Sequence, residues 1–218
     1  MPQSGALKHR SMQANLFTNQ SDPHAFETHE LGDGWIREYP CFLSDQQAST
    51  LLGQLLDSIP WQQDQIRIAG RLMPVPRLQC WMGDGDYSYS GIRLQALAWH
   101  SSVLALKQGI EAVTGRQFNS VLLNYYRNGQ DSVAWHADDE PELGPEPVIA
   151  SLSLGAERPF RLRPKAPENS DRRRILLRNG SLLLMGEGIQ NNWLHELPKV
   201  KGLEMPRLNL TFRQVIKL

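Results

Sequence analysis

The chain has 218 residues, 40% of them hydrophobic and 21% charged, the profile of an ordinary globular domain with a substantial core. Its 23 basic residues balance its 23 acidic ones, so net charge gives no overall argument for a polyanionic partner. Two cysteines, Cys41 and Cys80, exclude a disulfide framework and a cysteine zinc site, and they point to a reducing, cytoplasmic setting, or a nuclear one in a eukaryote.

No apolar run near the N-terminus reads as a signal peptide, and none elsewhere reaches membrane-spanning length. Residues 1–33 are polar and poorly patterned and are expected to form a flexible arm, with residues 34–218 as a single domain. GWIREYP then predicts a short strand. Ser44, with Gln47 three residues on, predicts a capping box for a helix running to about Ser58, with Leu51, Leu52, Leu55 and Leu56 as its apolar stripe. QIRIAGRLMPVP suggests a hairpin turning at Gly70. A second helix is expected from Gln95 to Val113, with Val103, Leu106, Ile110 and Val113 at core spacing and Gly115 near its end.

After Gly115 the texture changes. NSVLLNYY, VIASLSLG, PFRLRP, RRILLRN, SLLLMG and RLNLTFRQVI all read as strands, and Asn179-Gly180 is the strongest hairpin signal. Helices first and many strands after imply an α+β protein whose strand-rich part is a sandwich or barrel such as a jelly roll. Eight basic residues between Arg158 and Arg178 face only Glu168 and Asp171. They are either a solvated edge or a strip that contacts phosphates.

Four local patterns carry the chemistry. In VAWHADDE, His136 and Asp138 stand two apart and share a face if the strand continues. In NWLHELP, His195 lies in an apolar-flanked strand. Two histidines and one carboxylate are the donor set of a facial triad, which leaves one face of an octahedral metal open. Read singly, His136 is a surface histidine beside acids and His195 a core histidine. In PRLNLTFRQV, Arg207, Asn209, Thr211 and Arg213 share one parity, against Leu208, Leu210 and Phe212. That polar face is either exposed or lines a site for an anion, since a guanidinium pairs with a carboxylate through two bonds. Asn124 and Tyr126 repeat the theme on an earlier strand.

Together these residues resemble the AlkB family of iron(II)- and 2-oxoglutarate-dependent dioxygenases. The resemblance rests on Asn124-x-Tyr126, the His136-Ala-Asp138 triplet, the late His195 and the Arg207-x-Asn209-x-x-x-Arg213 run, and it extends from about Pro74 to the C-terminus. NLTFR and H-x-D-D-E look like the DNA-repair branch. The resemblance implies a double-stranded β-helix with N-terminal helices and a substrate-lid hairpin. It implies that His136, Asp138 and His195 hold Fe(II), which 2-oxoglutarate chelates through its 2-oxo and C1 carboxylate groups, with O2 as the other cosubstrate. Arg207 would pair with the far carboxylate, assisted by Tyr126 and Asn209. Asn124 and Arg213 would sit near the C1 end, Arg213 also bracing Asp138.

The implied reaction is oxidative dealkylation of nucleobases such as 1-methyladenine or 3-methylcytosine in DNA or RNA, with release of formaldehyde and succinate. Tyr87 and Tyr89 would hold the extruded base, and Asp139 and Glu140 would meet its polar edge. Duplex-preferring relatives carry a bulky apolar finger on the hairpin. Here the corresponding place is Ile68-Ala69, with Leu72 and Met73 as the substitutes if the hairpin is aligned differently, so single strands are expected to serve at least as well as duplex. No membrane and no obligate protein partner are expected. The alternatives are the same iron chemistry on modified RNA, a protein side chain or a lipid, and a jelly roll that only binds nucleic acid.

Overall fold

A computed structural model describes residues 22–68, 70–89, 92–166, 168 and 170–216. Most of the expected arm and the hairpin residue Ala69 lie outside them, as do the side chains at positions 68, 87–89 and 92–94. In chain order the elements are β1 (Glu27–Leu31), β2 (Gly34–Tyr39), α1 (Asp45–Ser58), β3 (Gln65–Ile68), β4 (Arg71–Pro74), β5 (Leu78–Gly83), β6 (Tyr87–Tyr89), β7 (Ile92–Leu94) and α2 (Ser101–Thr114). There follow β8 (Ser120–Tyr126), β9 (Val133–His136), a 3-10 turn (Pro141–Leu143), β10 (Ile149–Gly155), β11 (Arg158–Pro164), β12 (Arg173–Leu177), β13 (Leu182–Met185), α3 (Ile189–Asn192), β14 (Trp193–Leu197) and β15 (Arg207–Arg213).

Two antiparallel sheets form the jelly roll. The major sheet has the order β1-β2-β13-β10-β15-β8-β5, and the minor sheet the order β12-β11-β14-β9. Strand period two sorts the major sheet's side chains into two layers. On one face Leu123, Leu152, Leu154, Leu208, Leu210 and Phe212 pack with Leu55 of α1 and Val103, Leu106 and Ile110 of α2. The other face turns toward the minor sheet, where Trp81, Leu122, Ile149, Phe160, Leu162 and Trp193 join a second core. Every residue of β15 is therefore buried, and its polar face is interior rather than exposed.

Helix α1 starts as expected. The Ser44 side chain accepts from the Gln47 N–H, and the Gln47 side chain accepts from the Ser44 N–H, completing the capping box. Helix α2 starts later than expected, because residues 95–99 are held elsewhere. The Ala96 N–H donates to Asp86, Leu97 bridges Met82 of β5, and His100 caps the helix by accepting from the Ser102 N–H. Asn179-Gly180 does not make a hairpin. The turn carries the chain from β12 in the minor sheet to β13 in the major one. Asn179 Oδ1 accepts from the Gly155 N–H, and Gly180, at φ +76°, passes so close to Leu43 that a Cβ would meet its carbonyl at 2.5 Å. Strand β1 also falls inside the segment expected to be a loose arm: all five of its residues pair with β2.

Leu210 is fully buried between the major sheet and the helices. Leu210→Ala is expected to lower unfolding stability by about 2–5 kcal/mol in denaturant titration. Because the side chain points away from the minor sheet, divalent-metal affinity should stay unchanged in the folded variant.

Candidate active site

Strands β9 and β14 are neighbours, and their register sets His195 opposite His136, with ring centroids 4.2 Å apart. The strand ends at His136, so the expected same-face argument does not place Asp138; local contacts do. The Asp138 N–H donates to Gln190 Oε1 at 2.9 Å, and Arg213 Nη2 donates to Asp138 Oδ2 at 2.8 Å. One donor atom each from His136, Asp138 and His195 lies within 4.8 Å of the others. The His136 Nδ1 contacts the Ala134 carbonyl at 2.8 Å. As a donor there, it leaves the Nε2 lone pair facing Asp138 Oδ1, 3.9 Å away. Asp138 Oδ1 and His195 Nδ1 are buried without a hydrogen-bond partner among the described residues.

Burial pushes the His195 imidazole down to about 3, helped by the neighbouring His136, and burial likewise lowers His136. Burial alone would raise the Asp138 carboxyl. The charge and hydrogen bond of Arg213 outweigh it, joined by the two imidazoles only in the acid range where they protonate, and hold Asp138 at about 2. Two neutral imidazoles and one carboxylate are the protonation states a divalent metal requires.

A pocket between the sheets joins this cluster to the polar face of β15. Asn124, Tyr126, Ser151, Arg207, Asn209, Thr211 and Arg213 line it, with Leu122, Val133, Phe160, Leu177, Met185 and Leu197 as apolar walls. The register puts Tyr126 opposite Arg207 and Asn124 opposite Asn209. Arg207 is buried, and Nη2 donates to Ser153 Oγ at 3.0 Å. Its Nε has no partner among the described residues. Burial lowers the guanidinium to about 10, which leaves it charged at neutral pH. A buried cation with a neutral hydroxyl as partner calls for an anion.

A sequence profile of the 2OG-Fe(II) oxygenase superfamily matches residues 36–213. The human protein named alpha-ketoglutarate-dependent dioxygenase alkB homolog 3 is 44% identical over 185 residues, covering 81% of this chain. The chain covers 65% of that relative's length. Arabidopsis thaliana DNA oxidative demethylase ALKBH2 is 36% identical over 227 residues, covering 91% of this chain and 72% of that protein. This chain belongs to the AlkB family of 2OG-Fe(II) oxygenases. The solved structure of OsALKBH1 shares the fold with a TM-score of 0.58 at 16% identity, covering 86% of this chain and all of that one.

The family's cofactors are Fe(II), 2-oxoglutarate and O2, and the AlkB-type site fits them. The His-Asp-His donor set faces inward with open lone pairs, and the unmatched charge of Arg207 suits a carboxylate.

Other expected site residues fall differently. Asn124 accepts from Arg77 Nε at 2.7 Å and Gln79 Nε2 at 3.1 Å. Asp139 is exposed and paired with Lys165 at 2.7 Å, and neither it nor Glu140 lines the pocket. Tyr87 and Tyr89 lie on β6, paired with β7, with side chains outside the described part. The expected basic strip is broken: Arg158 is fully buried, while Arg161, Lys165, Arg173 and Arg178 are paired with Glu196, Asp139, Asp171 and Glu38. Sequence reasoning missed Arg77 and Gln190. Arg77, buried beside Asn124, sits two residues before Gln79 on the pocket side, a parity that could have flagged it. Gln190 acts through a long-range bond with no local signal.

Arg213→Gln removes the cation beside a fully buried carboxylate. The metal-free variant is expected to lose about 3–5 kcal/mol at neutral pH. The folded Asp138 carboxyl, at about 2, lies below its unfolded value, so its stabilising share is present above about pH 4 and fades toward pH 2. The gap between wild type and variant should therefore close as pH falls through that window in urea titrations.

Proposed function

We propose that this protein oxidatively removes N-alkyl groups from nucleobases of the 1-methyladenine or 3-methylcytosine type in DNA or RNA. In this reading His136, Asp138 and His195 hold Fe(II), and Arg207, Tyr126 and Asn209 hold the far carboxylate of 2-oxoglutarate. Asn124 and Arg213 serve the metal end of the cosubstrate. The observation that carries the reading is the pocket itself: a His-Asp-His cluster at one end and a buried, anion-seeking Arg207 at the other. The name of the Arabidopsis relative, a DNA oxidative demethylase, supports nucleobase dealkylation.

Fe(II), with 2-oxoglutarate and O2, supplies the oxidising chemistry that hydroxylates the alkyl carbon, and the resulting hemiaminal collapses to formaldehyde and the free base. The chain's own contribution is positional. Arg213 and Gln190 fix Asp138 from two sides, so one oxygen stays directed into the cluster. Leu122, Val133, Phe160, Leu177 and Leu197 exclude water from the reacting region. Arg207 and the serines and amides around it orient the cosubstrate. Tyr87, Tyr89, Asp139 and Glu140 are assigned to the base, a role that requires Asp139 to leave Lys165.

Single strands are accepted at least as well as duplex, in our reading. The place where a bulky finger is expected reads Ile68-Ala69 in the sequence, and the exposed apolar side chains of Leu72 and Met73 lie on β4. No described helix is long and apolar enough to cross a membrane. We assign the protein to a reducing cytoplasm or nucleus on its two free cysteines.

A formaldehyde-release screen tests the reading. Oligonucleotides carrying 1-methyladenine or 3-methylcytosine, single- and double-stranded, DNA and RNA, are incubated with Fe(II) with and without 2-oxoglutarate. Release should require 2-oxoglutarate and vanish in Asp138→Ala. Turnover on duplex far above that on the matching single strand would contradict the strand preference. No release from any methylated oligonucleotide would sink the substrate assignment.

A further inference from the structure

Arg158 is fully buried, yet it does not line the pocket and the reading above gives it no part. It neighbours a side chain that does line the pocket, Tyr126. Its guanidinium carbon is 5.8 Å from the centroid of the Tyr126 ring, and that of Arg207 is 5.2 Å from the same ring. One phenol, itself 3% exposed, thus has two buried guanidinium groups within 5.8 Å of its ring centroid.

The hydrogen bonds of Arg158 hold it there without cancelling its charge. Nη1 donates to the Asn128 carbonyl at 3.3 Å, and Nη2 donates to the carbonyls of Asp131 at 2.9 Å and Pro198 at 2.6 Å. The Nε has no partner among the described residues. The carboxylate of Asp131, whose charge reaches Arg158, is hydrogen-bonded to Arg127 through two bonds of 2.8 Å each. Arg207 in turn has two hydroxyls, those of Ser153 and Tyr126, as its hydrogen-bonding neighbours. Two like charges buried around one ring, with no carboxylate bonded to either, are costly in the empty protein. A ligand carboxylate beside Tyr126 and Arg207 would offset both.

We propose that Arg158 is a positioning residue and the second cation of the cosubstrate site: it packs against the Tyr126 ring and makes this end of the pocket selective for a second carboxylate. The proposal rests on the reading that Arg207 receives the far carboxylate of 2-oxoglutarate. The same carbonyl bonds tie the loop before β9 to the segment after β14, the two strands that carry His136 and His195. A purely structural role would therefore affect every ligand, whereas a charge role singles out diacids.

The test compares binding of 2-oxoglutarate with that of 2-oxobutyrate, which lacks the far carboxylate, to anaerobic Fe(II)-loaded protein by calorimetry. Arg158→Gln should weaken 2-oxoglutarate about tenfold and leave 2-oxobutyrate within about twofold. Arg158→Lys, which keeps the charge, should restore most of the difference. Equal weakening of both oxo acids, or no change in either, overturns the proposal. If the glutamine variant does not fold, the lysine variant decides alone: a retained preference for the diacid supports the charge role, and its loss overturns it. Arg207→Met separates the two levels. Loss of diacid preference in Arg207→Met but not in Arg158→Gln rejects Arg158 alone, while preference kept in Arg207→Met rejects the underlying reading as well.

Discussion

The ion pair between Arg213 and Asp138 joins the last strand of the major sheet to the loop leaving the minor sheet, and the geometry of the site depends on it. Neither group is stable in that place alone, because each is almost wholly buried. Together they fix which oxygen does what. Oδ2 is taken by Arg213, the backbone N–H by Gln190, and Oδ1 is left facing His136. A carboxylate held this way presents one oxygen to the cluster, as a facial donor set requires.

That pair sits at one end of a larger arrangement, a strand face that is polar and buried at once. Most such faces meet water. Here helices cover the other side of the major sheet, and the minor sheet covers this one, so every polar group needs a partner inside. Many find one in a neighbour. Thr211 donates to Asn209 Oδ1, Asn209 donates to Ser151 Oγ and the Leu152 carbonyl, and Gln79 and Arg77 both donate to Asn124. A network satisfied from within holds its members in place before any ligand arrives. What it leaves over includes the charge of Arg207, which has no carboxylate bonded to it, and that is where an anion is wanted.

Period-two alternation made much of this legible. The split of Arg207, Asn209, Thr211 and Arg213 from Leu208, Leu210 and Phe212 survives intact, and so does the capping box at Ser44. The triad residues were legible only jointly, since the strand bearing His136 stops before Asp138 and a contact from Gln190 aims the carboxylate. Failures came where distant parts of the chain compete for a segment. The start of α2 was lost to Asp86 and β5, and the Asn179-Gly180 turn was lost to a crossing between sheets. Arg158 was misread for a different reason. Counting charge along the chain grouped it with exposed arginines, whereas strand parity groups it with Phe160 and Leu162, which point inward.

Parity therefore turns a charge count into a map of the pocket. At the end near His136 and His195, the carboxylate of Asp138 is balanced by Arg213. At the other end the charges of Arg207 and Arg158 have no carboxylate bonded to them. The protein has thus placed a lone-pair-rich donor set, with Asp138, Arg213 and Arg77 around it, at one end of the cleft, and at the other the charge of Arg207 with no carboxylate bonded to it. A ligand that chelates through one end and carries an anion at the other matches both. A neutral ligand of the same length would leave the far end uncompensated, and a compact anion would reach one end only. On the proposal made above, selectivity for an elongated diacid would follow from where two strands put their arginines, independently of what is later oxidised.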